Sequence, residues 1–240
     1  MSQLTMPEFE AALAKTRTVI VPFGSVEEHG PHLPLSTDTM HAQEVATRAA
    51  ALYPLLVAPP VHYGLCRSTS EHPGTISISS NTIRALALDV GKELFRQGCR
   101  QVILLTGHAG GTHVAALIEA GEQLLRELPE IRVAVVNVLD LLREALKQAP
   151  DLVRTPNDSH AGEVETAIML AAYPELVSGT APAEWPAFPK FILSRRKRKF
   201  WPGGVWGDPA AATSEKGEKI LSHEVSVLVE LAKALERFED

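Results

Sequence analysis

The sequence predicts an α/β fold: a single domain built on a mostly parallel sheet with helices on both faces, and three observations carry that reading. Apolar runs without polar alternation, Thr18–Phe23 and Gln101–Thr106 foremost, read as strands buried on both sides. Stretches of helical spacing stand between them, with glycine or proline where one type gives way to the other. The chain has 240 residues, 45% of them hydrophobic, and no internal repeat, so residues 1–240 are expected to share one core.

Thr5, Pro7 and Glu8 supply an N-cap, a first-turn proline and a capping-box acid, which predicts a short helix to about residue 15 before the first strand. Residues 39–52 place Val45, Ala46, Ala49 and Ala50 at helical spacing and stop before Pro54, and 55–59 reads as a short second strand. Residues 61–75 are polar and turn-rich, too long for a mere connector, and loops of that kind often carry function. Residues 75–78 are expected as an edge strand, and Ser80 as the cap of a helix that stops at Gly98. Gln101–Thr106 empties through Gly107-His108-Ala109-Gly110-Gly111 into a helix over 112–128, and a strand over 131–138 and a helix over 139–147 follow. A polar connector precedes a helix over 162–172, and the last helix spans 213–238. Between them, residues 181–212 combine prolines and glycines with Trp185, Trp201 and Trp206, so this segment should pack on the domain or on a neighbouring subunit.

A net charge of −6 argues against a nucleic-acid or anionic-membrane binder. Cys66 and Cys99 are too few for a disulfide framework. The first residues lack a basic start followed by an apolar run, and no stretch approaches the ~18–20 apolar residues of a membrane span. A cytoplasmic protein is the expectation. Cys99, beside a strand, reads as core. Cys66, Ser68, Ser70 and His72 stand in a loop able to line a pocket. The basic run from Arg195 to Lys199 reads as a solvated loop, with an anionic substrate group or an acidic patch on a partner as its alternatives.

The chemistry concentrates where strands end. After Phe23 come Glu27, Glu28, His29, His32 and Asp38 among glycines and prolines. Carboxylate oxygen and imidazole nitrogen suit Zn, Mn or Fe ions, and in an extended loop Glu27 and His29 point the same way while Glu28 points away. Loops after parallel strands gather at one edge of the sheet, which brings His108, and the His160–Glu165 stretch, towards them. Asp38 could instead be a helix N-cap, His108 a core histidine, and the glycines after it a phosphate cradle, although they lack the spacing of a nucleotide fingerprint. Glu27, His29, Asp38 and His108 supply more carboxylate than one structural zinc takes, so a bridging Asp38 holding two ions about 3.5–4 Å apart fits better. The fifth ligand is Glu165 or Glu163. The two project about 200° apart on a helix, so only one faces the site, and Glu165 is preferred. His160 is the candidate proton carrier.

Gly24-Ser25-Val26-Glu27-Glu28-His29-Gly30-Pro31-His32-Leu33-Pro34, Asp38, Gly107-His108 and the run from His160 to Thr166 together resemble the creatininase family of metal-dependent amidohydrolases, over about residues 19–217. The resemblance implies an α/β homo-oligomer, often a hexamer, with a binuclear centre that hydrolyses amides, including cyclic amides and formamides. It implies Glu27, His29, Asp38 and His108 as metal ligands, Asp38 bridging, and His160 as the catalytic histidine. Creatininase proper has an aromatic residue and then a glutamate ligand after the third-loop histidine, where this chain has Ala109 and Gly110, and a tryptophan where it has Pro156. A creatinine pocket is therefore not expected. The expected activity is hydrolysis of a small amide by a metal-bridging water, with His160 and Glu165 as catalytic residues. A peptidase of short modified peptides and a non-catalytic metal-binding subunit are the alternatives.

Overall fold

The computed structural model describes residues 1–239. Four parallel strands form one sheet in the order β2-β1-β3-β4, with β1 at Thr18–Phe23, β2 at Leu56–Val57, β3 at Gln101–Thr106 and β4 at Arg132–Asn137. β1 and β3 stay in register over their whole length, from Thr18 opposite Gln101 to Phe23 opposite Thr106. Pro22 lies inside β1 without a backbone N–H, and the sheet tolerates it because β2 has already ended on that side. There the Pro22 carbonyl accepts from the Val61 N–H at 2.9 Å.

Helices α1 (Met6–Leu13), α2 (Thr37–Leu52), α3 (Ser80–Arg96), α4 (Gly111–Glu127), α5 (Val138–Gln148), α6 (Glu163–Ala172) and α7 (Ser214–Arg237) complete the fold. Strand alternation sorts the core into two layers. Ile20, Ile103 and Leu105 pack under α2, α5, α6 and α7, with Val45, Leu141, Ile168, Leu228 and their neighbours. Val19, Val21, Phe23, Val102 and Leu104 pack on the other side with Ile83, Leu94, Leu117 and Leu124 of α3 and α4. Both faces of the sheet are thus covered, as the uninterrupted apolar strands require.

Three local expectations are corrected. Residues 75–78 are not a sheet strand. Val26 and Ile76 make one antiparallel bridge, and β2 occupies that edge of the sheet instead. The cap of α3 is Ser79, whose hydroxyl accepts from the Thr82 N–H at 3.2 Å, rather than Ser80. Helix α2 begins at Thr37 after Ser36, so Asp38 stands inside the first turn instead of capping it. No described helix is long and apolar enough to cross a membrane.

Candidate metal centre

The carboxyl ends of β1 and β3 receive the N-terminus of α2 at unusually close range. A Cβ on Gly24 would sit 2.4 Å from Thr39 Cα, and one on Gly107 would sit 1.9 Å from the Asp38 carbonyl oxygen. Glycine at both strand ends therefore lets α2 press Asp38 onto the edge of the sheet. Glycine 107 thus serves close packing, not the phosphate cradle that its neighbours suggest.

Around Asp38 the residues singled out from the sequence meet. Asp38 Oδ2 lies 3.0 Å from His108 Nδ1, and Glu27 Oε2 lies 2.7 Å from the same nitrogen. On the other side Asp38 Oδ1 lies 3.1 Å from His29 Nε2, and Glu165 Oε2 is 3.6 Å from it. One carboxylate therefore faces two imidazoles, each with a second acid beside it. Glu27, His29, Asp38, His108 and Glu165 are all buried. Glu163 is elsewhere: its carboxylate accepts from the Arg154 and Thr155 N–H groups and pairs with Lys216 of α7. Glu28 points away from Asp38, accepting from the Gly30 N–H at 2.9 Å, while its other oxygen lies 3.6 Å from His160 Nε2.

The outer nitrogen of each imidazole is fixed by backbone. His29 Nδ1 donates to the Glu27 carbonyl at 3.1 Å, and His108 Nε2 donates to the Leu65 carbonyl at 3.1 Å. Their inner nitrogens then turn a lone pair towards carboxylate oxygen, an arrangement stable only with a proton or a cation between. Protons alone leave visible stress. Burial would push His29 down, but Asp38, Glu165 and Glu27 outweigh it and raise its pKa to about 10. Burial likewise opposes a charged His108, and Glu27 and Asp38 still hold its pKa well above the ordinary value. Burial would raise Asp38, yet His29 and His108 hold it well below the usual carboxylate range. Glu27 Oε2 remains buried without a properly aligned hydrogen bond, despite its short distance to His108. This donor set, three acids and two backbone-oriented imidazoles around an unsatisfied oxygen, fits divalent cations.

His160 stacks on His29 with ring centroids 4.2 Å apart, and its Nε2 donates to the Glu28 carbonyl at 2.7 Å. Its other nitrogen is left for the cavity. An atom each of His29, His160 and Glu165 lie within 4.8 Å of one another. Glu165 is itself oriented, accepting from the Ala161 N–H at 2.5 Å, where Ala161 holds a left-handed φ of 47°. The cavity above these groups has a volume of about 240 Å³. Ala109, Gly110 and Gly111 form part of its wall, and Trp201 and Trp206 form another.

Sequence reasoning expected the tryptophan-rich segment to pack somewhere but did not place it over the site. Trp201 donates from Nε1 to the Val205 carbonyl at 2.7 Å and stands edge-on to His160 at 5.1 Å. Trp206 is tied to His160 by a two-way backbone bridge. Ser68 lines the cavity and Thr69 donates its hydroxyl to Glu27 Oε1, so the 61–75 loop contributes to the site. The basic run does not line the cavity: Lys197 donates to the Arg67 carbonyl, and the Arg198 N–H to Glu71 at 3.0 Å.

Known proteins resemble this chain over most of its length. A family profile described as creatinine amidohydrolase, the creatininase profile, matches residues 2–232. Creatinine amidohydrolase of Pseudomonas putida is 29% identical over 92% of this chain and 91% of its own length. A mycofactocin precursor peptide peptidase of Mycolicibacterium smegmatis is 32% identical over 87% of this chain and 81% of its own. Among solved structures, a creatininase variant of Zn–Zn type superposes with a TM-score of 0.87 at 28% identity, covering 100% of this chain and 98% of that chain.

Proposed function

We propose that this chain, which belongs to the creatininase family, is a binuclear metal-dependent amidohydrolase acting on a small amide of formamide or cyclic type. The observation that carries the proposal is Asp38, whose two oxygens face two imidazoles, each with its second nitrogen fixed by a carbonyl. Glu27 and His108 would hold one ion, His29 and Glu165 the other, and Asp38 both. Zinc is a natural occupant, since the superposing creatininase variant is of Zn–Zn type, and manganese or iron suit the same donors. When bound, such ions polarise the amide carbonyl and bring water towards ionisation near neutral pH.

The chain's own residues do the rest. Asp38 and Glu165 offset the charge gathered at the site, and Glu165 keeps its aim through the Ala161 N–H. His160, held through Nε2 by the Glu28 carbonyl, presents Nδ1 to the cavity and would carry a proton to the departing nitrogen. Trp201 and Trp206 cover one side of the reacting bond and limit the space above it. Water is the nucleophile, so no acyl-enzyme forms.

A substrate other than creatinine is favoured, because Ala109 and Gly110 replace an aromatic residue and an acid at the cavity wall. A peptidase is the second reading. It is supported by the M. smegmatis relative and by a second cavity of about 440 Å³, lined by Arg67, Ser79, Arg84 and Thr112, of which Arg67 and Thr112 are the chain neighbours of Ser68 and Gly111 in the wall of the first. A screen of zinc- and manganese-loaded protein against formamides, cyclic ureides and short peptides, with His160→Ala as control, tests both. Turnover of formamides or cyclic ureides that falls in the control supports the first reading. Turnover of peptides alone selects the second, and full activity in His160→Ala contradicts the assigned proton carrier.

A further inference from the structure

Cys66 has no place in the apolar core. Cys99 packs in the layer formed with α3 and α4, whereas Cys66, although fully buried, joins none of the three apolar clusters. It faces the polar site instead. Its sulfur, a Glu27 carboxylate oxygen and a His108 ring nitrogen lie within 4.8 Å of one another. Atoms that bind one zinc at about 2.0–2.3 Å stand at most about twice that distance apart, so a small adjustment brings all three onto a single ion. The backbone supports the position. The Cys66 N–H donates to Ser77 Oγ at 2.9 Å, and the preceding Leu65 carbonyl is the group that receives His108 Nε2. One short loop therefore aims both the imidazole and the sulfur.

A second, independent observation points to a ligand at the same place. Glu27 Oε2 is buried and has no aligned hydrogen bond, and its carboxylate is only 4% exposed. A buried anionic oxygen left in that state calls for a cation.

We propose that Cys66 supplies a thiolate to the ion held by Glu27, Asp38 and His108, so that the two metal positions differ in kind. This rests on the binuclear reading above. The position shared by Glu27, His108 and Cys66 contains sulfur, while that shared by His29 and Glu165 contains only nitrogen and oxygen. As the metal–sulfur bond forms, the thiol proton passes to solvent. Sulfur makes its position selective for zinc over manganese or magnesium, and the other position accepts either class of ion.

X-ray absorption at the zinc edge, combined with metal analysis of zinc-loaded protein, tests the proposal. The expected result is a sulfur scatterer at about 2.3 Å beside nitrogen and oxygen at about 2.0–2.2 Å. It should amount to one sulfur for every two zinc ions, persist in Cys99→Ser and vanish in Cys66→Ser. Cys66→Ser should also lower the preference for zinc over manganese at that position by about 10–100-fold, the range that even outer-shell partners of a metal command. Should Cys66→Ser fail to fold, Cys99→Ser decides, because Cys66 is then the one thiol left. Two bound zinc ions without a sulfur shell overturn this inference and leave the binuclear reading standing. Failure to retain zinc overturns both.

Discussion

Helix α2 carries two buried acid–imidazole assemblies one turn apart, and their difference separates a structural pair from a site. His41 meets Glu224 of α7 at 2.8 Å, with one acid for one imidazole and both side chains sealed from solvent. Asp38 belongs to a set of three acids and two imidazoles that borders a cavity. The first pair balances its own charge and ties two helices. The second retains more acid than it can neutralise and faces space that a molecule can enter. Burial and charge type are alike, so stoichiometry and access are what distinguish them.

Substitutions on the two sides should diverge accordingly. Asp38→Asn preserves size but removes the shared charge. Zinc affinity at both positions should fall by more than about 100-fold, with activity lost, as read by metal titration and turnover. His160→Ala should lower kcat by about 10²–10⁴-fold while both ions remain, which steady-state kinetics with metal analysis would separate from ligand loss. Glu224→Ala should leave metal content unchanged but reduce unfolding free energy by about 3–5 kcal/mol, measured in urea, because His41 loses its buried partner.

That stability difference also has a direction in pH. Burial alone would lower the His41 pKa, but Glu224 outweighs it and raises the value. The pair's contribution is therefore fully present below the unfolded histidine value of about 6.5 and is lost as pH rises through the higher folded value. The gap between wild type and Glu224→Ala should narrow on the alkaline side. The smallest effect is expected for Glu163→Gln, about 1–3 kcal/mol of stability through Lys216 and the Arg154 and Thr155 N–H groups, with zinc content and kcat unaltered. Glu165→Gln, two residues on, should instead weaken the ion near His29.

Parts of the fold and of the site were readable in the sequence, and parts were not. The buried strands announced themselves by unbroken apolar runs, and the alternation of an extended loop put Glu27 and His29 on one side with Glu28 on the other. The helical angle between Glu163 and Glu165 showed that only one could face the site. Which one it is depends on Lys216, some fifty residues later, which draws Glu163 away. The roles of Gly24 and Gly107 were hidden because close approach between chain segments leaves no local signature beyond the glycine itself. Trp201 and Trp206 were visible as aromatics needing burial, but an irregular segment carries no periodicity that says where it lies. Cys66 stood in a loop able to line a pocket, and only the fold sets its sulfur against Glu27 and His108.

The shared role of Asp38 is decided by the number of ions bound by wild type and by Asp38→Asn after zinc reconstitution, counted per chain and located by anomalous diffraction. Two are expected in the wild type, one beside Glu27 and His108 and one beside His29 and Glu165, with both lost together in the variant. A single ion in the wild type, or an Asp38→Asn protein that keeps both at full affinity, would contradict it.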